Sequence, residues 1–133
     1  MSVAGEVVGE CGHGLVVLLG IATSDGGGEA DRLAGKIARM RVFENADGRL
    51  DLSLHDVAGE ALVVSQFTLI ADTRKGHRPS FTDAAAAEVA EPLYERFCSA
   101  LEREGVTVVR GIFGAHMDVS LVNDGPVTIV LDV

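Results

Sequence analysis

The chain has 133 residues, 47% of them hydrophobic but only 5% aromatic and none Trp, and carries a formal charge of −9. That length supports one core and a single domain, 1–133, built from Val, Leu, Ile and Ala, which suits a sheet covered by helices. The acidity argues against a protein that coats nucleic acid nonspecifically, and no apolar run approaches the roughly 18 residues of a membrane span. No basic flank with an apolar run opens the chain, so a soluble, cytoplasmic protein with no membrane partner is expected. Cys11 and Cys98 stand alone, without a CxxC pattern, and read as buried thiols rather than a disulfide framework. His13, His55, His77 and His116 show no metal-ligand spacing, so neither a metal nor a cofactor is expected.

In chain order, residues 3–10 predict a short exposed strand and Gly12-His13-Gly14 its turn into Leu15–Ile21, a run apolar enough for a fully buried strand. Gly26-Gly27-Gly28 lacks the Gly-Lys-Ser/Thr of a phosphate loop and is followed by Glu29 and Asp31, whose carboxylates suit a helix N-terminus but repel phosphate. The helix so opened places Ala30, Leu33, Ala34, Ile37 and Met40 on one face. Arg41–Glu44 predicts a short strand, Asn45-Ala46-Asp47-Gly48 a turn, and Leu50, Leu52 and Leu54 a half-buried segment with the leucines inward.

The stretch Val63-Val64-Ser65-Gln66-Phe67-Thr68-Leu69-Ile70 reads as a buried strand with three polar residues near its exit. Taken alone, Ser65, Gln66 and Thr68 read as partners for neighbouring backbone. Ser65 would be a nucleophile only with a base beside it, His77 and His116 being the candidates. The loop that follows holds the one dense basic cluster, Arg74, Lys75 and Arg78 with His77, which is either a solvated loop or the place where a polyanion docks. Val89, Leu93, Phe97 and Leu101 recur every four residues in a second helix, with Pro92 expected in its first turn and Gly105 at its stop. Residues 106–113, 116–122 and 127–132 predict further strands, the last two paired around Asn123-Asp124-Gly125-Pro126. The expected fold is thus a single α/β domain, a mixed and mostly antiparallel sheet packed by two main helices. No esterase elbow, zinc-protease or dinucleotide-binding motif is present.

Two stretches in combination are more specific than any of these signals. Ser65-Gln66-Phe67-Thr68-Leu69 with Ala71-Asp72-Thr73-Arg74-Lys75-Gly76-His77-Arg78-Pro79-Ser80-Phe81, and then Asn123-Asp124-Gly125-Pro126-Val127-Thr128, closely resemble the D-aminoacyl-tRNA deacylases, formerly D-tyrosyl-tRNA deacylases. The resemblance extends to 5–10 and 90–94. It implies a barrel-like sheet and a homodimeric hydrolase with its active site at the subunit interface, cutting the ester between tRNA and a D-amino acid, or misattached glycine, without a metal. By the same resemblance Ser65, Gln66, Phe67 and Thr68 line the catalytic pocket and supply backbone donors. Gly125 and Pro126, joined by a cis bond and supported by Asn123 and Thr128, would enter the partner's pocket and reject L-amino acids. Arg74, Lys75 and Arg78 would hold tRNA, and no DNA partner is expected. The family usually begins with a further strand carrying Gln-Arg-Val, whose arginine braces the Gly-Pro turn. Its absence leads one to expect lower stability and weaker enantioselectivity than in a form extended upstream. A non-catalytic dimeric RNA- or aminoacyl-tRNA-binding module of the same fold is the alternative, and a small-molecule-binding dimer a third reading.

Overall fold

The computed structural model describes all residues, 1–133. Its elements in order are β1 (Ser2–Val3), β2 (Glu6–Val7), β3 (Gly14–Leu19), α1 (Gly27–Arg39), β4 (Arg41–Glu44), β5 (Leu50–Ser53), β6 (Glu60–Ser65), a one-turn 3-10 helix (Phe67–Leu69), α2 (Ala87–Arg103) and β7 (Thr107–Arg110). The central sheet has the order β3-β6-β7, and both of its pairings are parallel. Antiparallel pairing between strands is confined to the small hairpins β1-β2 and β4-β5, with three isolated antiparallel bridges elsewhere. This corrects the expectation of a mostly antiparallel sheet. Counting strands against helices misled, because each of the two connections in the central sheet contains a long helix, and a helical crossover delivers the next strand parallel. Stepping twice in the same direction across the sheet, crossovers of one hand put both helices on one face.

Alternation along β6 separates the two sides of the sheet. Ala61 and Val63 join a core of 15 buried residues with Ala34, Ile37 and Ala38 of α1 and Tyr94, Phe97, Cys98 and Leu101 of α2. Leu62 and Val64 face the other way and pack with Met1, backed by Val16, Val109, Met117 and Val119. All four are buried, as expected of the central strand. The run from Leu15, by contrast, is an edge strand, with Leu18 47% exposed. A continuous apolar run does not by itself distinguish a centre from an edge.

The helix α1 buries Ala34 and Ile37 of the face predicted for it together with Gly35 and Ala38, with Ala30 and Leu33 half-buried and Met40 past its end. α2 ends as Gly105 takes up φ +89°, donating to the Glu102 carbonyl. The buried face of α2 is Ala90, Tyr94, Phe97, Cys98 and Leu101, while Val89 is exposed. A stripe of every fourth residue drifts around a helix of 3.6 residues per turn, so Val89 rotates out and Tyr94 in. Pro92 stands inside the helix, past its first turn, on the exposed side. The helices are tied by Arg96 on Asp31, at 2.8 and 3.1 Å, and by Arg39 on Glu104 at 2.8 Å.

The C-terminal strands expected over 116–122 and 127–132 do not form. Residues 111–133 run irregularly, joined to strand structure where Gly111 N donates to the Val63 carbonyl at 3.2 Å and where Ser2 and Asp118 exchange 2.9 Å backbone bonds. Among the pairings present the sheet is open, with β3 and β7 as its edges.

Candidate active site

β6 ends at Ser65 rather than running on to Ile70, because Gln66, Phe67, Thr68 and Leu69 curl into a 3-10 turn. The turn is seated on the exit of β3. The Gln66 amide donates to the Leu19 carbonyl at 2.8 Å, continuing the ladder by one bond after the last strand pair, Leu19 with Ser65. Gly20 then passes directly beneath. A Cβ there would lie 3.0 Å from Leu69 Cβ, 3.2 Å from Ile70 Cδ1 and 3.3 Å from the Gln66 carbonyl oxygen. This seat escaped the reading of the strand itself. Its sequence signal is a glycine interrupting an apolar strand run, the mark of a close backbone approach.

Within the turn, Leu69 N donates to the Gln66 carbonyl at 3.2 Å and Ile70 N to Phe67 at 2.9 Å. The first amides of a helical turn, here those of Phe67 and Thr68, have no intrahelical acceptor. Gln66 Nε2 donates to Thr68 Oγ1 at 2.5 Å, so these two side chains constrain each other. Phe67 is 56% exposed, with its ring edge-to-face on Phe81 at 5.2 Å. No hydrogen bond joins Ser65 to His77 or His116, which are exposed, so no Ser-His pair is assembled within the chain.

The basic loop is closed at its neck by reciprocal 2.8 Å backbone bonds between Asp72 and Ser80. Arg74 is folded back onto this neck, its Nε and Nη2 on the Asp72 carboxylate at 3.0 and 2.8 Å. That guanidinium holds the Asp72 carboxyl below its ordinary range. Lys75 and Arg78 are exposed and make no ion pair. The three cations therefore divide into one that braces the loop and two that are free.

Further along the chain, Asn123 organises a second exposed turn. Its Oδ1 accepts from Val127 N at 3.0 Å and its Nδ2 donates to Thr128 Oγ1 at 2.8 Å, bracketing Asp124, Gly125 and Pro126. Gly125 has φ +143° and its bond to Pro126 is cis. No hydrogen bond, ion pair or ring contact links this turn to 65–68 within the chain. The apolar side chains beside both turns lack cover. Leu69 is 54% exposed, Val122 92% and Val130 88%.

The remaining chemically reactive candidates are quiet. Burial pushes the Cys98 thiol up to about 11, so it stays protonated at neutral pH. The polar cleft between α1 and the β4-β5 hairpin, lined by Arg39, Arg41, Ser53, His55, Asp56 and Glu104, has its arginines engaged by Glu104 and Asp51.

The family described as D-Tyr-tRNA(Tyr) deacylase matches residues 1–132. A D-aminoacyl-tRNA deacylase of Chloroflexus aurantiacus is 55% identical over 132 residues, spanning 99% of this chain and 82% of its own. One of Thermus aquaticus is 56% identical over 132 residues, spanning 99% and 87%. Among solved structures, the c-Myc DNA Unwinding Element Binding Protein shares the fold with a TM-score of 0.91 at 40% identity, over 99% of this chain and 90% of that one. A probable eukaryotic D-amino acid tRNA deacylase, at 18% identity and a TM-score of 0.62 over 76% and 74% of the chains, bears on the fold alone. With the family matched over residues 1–132 and relatives above half identity across nearly the whole length, the chain belongs to the D-Tyr-tRNA(Tyr) deacylase family.

Proposed function

We propose that this chain is a cytoplasmic hydrolase that cleaves the ester of D-aminoacyl-tRNA, and of glycine mischarged on tRNA, releasing free amino acid and tRNA. The observation that carries the reading is the 3-10 turn at the end of β6, with its two unbonded leading amides beside Ser65, Gln66 and Thr68. An aminoacyl ester is already activated and has a ribose hydroxyl next to it. Its hydrolysis asks for orientation and for donors facing the developing oxyanion, one such donor being worth about 3 kcal/mol of barrier. The Phe67 and Thr68 amides are those donors in this reading, and the ribose 2′-hydroxyl assists the attacking water. Thr68, engaged by Gln66, shapes the pocket rather than attacking.

Selection against L-substrates falls to the Gly125-Pro126 turn of a second copy. Two features support a homodimer with a shared site: the selector turn makes no bond to the catalytic turn of its own chain, and apolar side chains stand exposed beside both. In that assembly the irregular segments 116–122 and 127–132 gain cover, and the sheet approaches the barrel-like form. Lys75 and Arg78 dock the tRNA backbone, with Arg74 bracing their loop against Asp72. Steric rejection of one α-carbon face spares glycine, which has no side chain to exclude.

The test is release of tyrosine from D- and L-tyrosyl-tRNA. Hydrolysis of the D-ester alone is expected. Equal rates on both enantiomers overturn the selector, and tRNA binding without release favours the non-catalytic module. Thr68→Ala is expected to keep kcat within about fivefold of wild type, whereas a variant that binds tRNA normally but is inactive returns Thr68 to a nucleophilic or acid-base role.

A further inference from the structure

The carbonyl of Val63 lies two residues before Ser65, at the point where β6 loses its neighbour on one side. The β6-β7 pairing stops at Val63 with Arg110, so Val64 and Ser65 are held by β3 alone. At that last point Val63 accepts two hydrogen bonds. Gly111 N supplies one at 3.2 Å, and the Tyr94 hydroxyl supplies a shorter one at 2.7 Å. Tyr94 also accepts from Gly111 N at 3.1 Å, so hydroxyl, carbonyl and amide close a small ring where the two strands part.

Tyr94 is 1% exposed, and its ring lies among the core residues of α2, with Phe113 tilted against it at 6.0 Å. A phenol is not needed to fill that volume, since Phe would do so. Nor is the hydroxyl needed to satisfy the strands: without it, Gly111 N and the Val63 carbonyl keep each other. What it adds is a second, shorter restraint from the helix layer on the β6 backbone just upstream of the turn. We propose that Tyr94, through its hydroxyl on the Val63 carbonyl, is the positioning residue that sets the height and angle at which the Ser65–Thr68 turn leaves the sheet. The proposal rests on the hydrolytic reading of that turn. A group that holds donors in place acts on the transition state more than on the substrate, since misplacement by a fraction of an ångström lowers turnover without a matching loss of binding.

Tyr94→Phe is the test, compared with wild type and with Leu101→Val, which trims a fully buried side chain on the same helix away from the Val63 carbonyl. Two quantities are read at a temperature where all three proteins are folded: kcat and KM on D-tyrosyl-tRNA, and hydrogen exchange of individual backbone amides. Tyr94→Phe is expected to lower kcat about tenfold with KM within about twofold. It should also speed exchange of the Gln66 and Leu69 amides about tenfold while leaving that of Ile37 in α1 unchanged. Leu101→Val should lower the melting temperature and move neither the kcat nor the turn's exchange. Unchanged exchange at Gln66 and Leu69 in Tyr94→Phe, or equal effects of both variants, overturns the positioning role. A wild-type enzyme that leaves D-tyrosyl-tRNA intact overturns the hydrolytic reading instead, and the exchange measurement still decides whether Tyr94 holds the turn.

Discussion

The two turns that carry the family's motifs are built in different ways. The turn at 65–70 is held from below by the protein interior: Gln66 bonds to the Leu19 carbonyl, Gly20 leaves no gap beneath it, and Tyr94 grips the strand that feeds it. The turn at 123–128 is held only by itself, through Asn123 on Val127 and Thr128, on an exposed and irregular segment. On the roles proposed above, a group that must place hydrogen-bond donors to within a fraction of an ångström sits on a buried strand, and a group that excludes by bulk needs only a fixed local shape and something else to bring it to the site. The difference in construction fits that division of roles.

Breaking the seat of the first turn should have the largest effect. Gly20→Val puts methyl groups into contacts already at 3.0–3.3 Å for a Cβ, forcing the turn outward. Its kcat/KM on D-tyrosyl-tRNA is expected to fall about 100-fold, with a lowered melting temperature from overpacking. Activity near wild type would mean that the turn tolerates displacement. Loosening the second turn should cost less and do so differently. Asn123→Ala removes both bracketing bonds, each worth about 1 kcal/mol at most on an exposed site, so the melting temperature should scarcely move. The D/L rate ratio should fall about tenfold, and a fall in D-activity without a change in that ratio would assign the turn a role other than selection. Smaller still is the effect expected in the basic loop. Lys75→Ala with Arg78→Ala should raise KM and reduce the salt slope of tRNA binding by about two. Arg74→Ala should reduce that slope less, because its guanidinium is occupied by Asp72. A larger slope change from Arg74 than from the other two would reverse their assignment.

The strand that feeds the turn at 65–70 was legible in the sequence for local reasons, whereas its end at Ser65 and the 3-10 turn after it were not. Four buried residues, Ala61 to Val64, followed by Ser and Gln announce a central strand with a polar exit. Gly105 announces the end of α2, and Asn45 to Gly48 the β4-β5 turn, where Asn45 Oδ1 accepts from Asp47 and Arg49. What was not legible depends on pairing across the chain. The parallel direction of the central sheet follows from the two crossovers, and the edge position of β3 from what fails to lie beside it. Residues 116–132 have strand-like apolar content but pair with strand structure only at the Ser2–Asp118 bridge, so propensity alone overstated them. The division of the basic cluster into one brace and two free cations depends on an Asp72 rotamer that charge counting does not reveal. Tyr94 was read only as part of the resemblance at 90–94, because its role lies in a bond to a strand 31 residues away.

The central claim is that the catalytic turn and the selector turn of one working site come from different copies, and mixing two damaged proteins tests it most directly. Gly20→Val damages the first turn. Gly125→Val damages the second, where φ is +143° and a Cβ would lie 3.0 Å from both Val127 N and its Cγ2. Each variant alone should show little excess of D- over L-hydrolysis, Gly20→Val because turnover is lost and Gly125→Val because the L-ester is cleaved as well. If subunits exchange freely, half of the dimers carry one lesion on each copy, and one of the two sites in such a dimer is intact. That excess in the equilibrated mixture is therefore expected to return to about a quarter of the wild-type value. A mixture whose excess is no greater than the average of its two components, under conditions where tagged copies are shown to exchange, would contradict the shared site and place both turns in the service of a single chain.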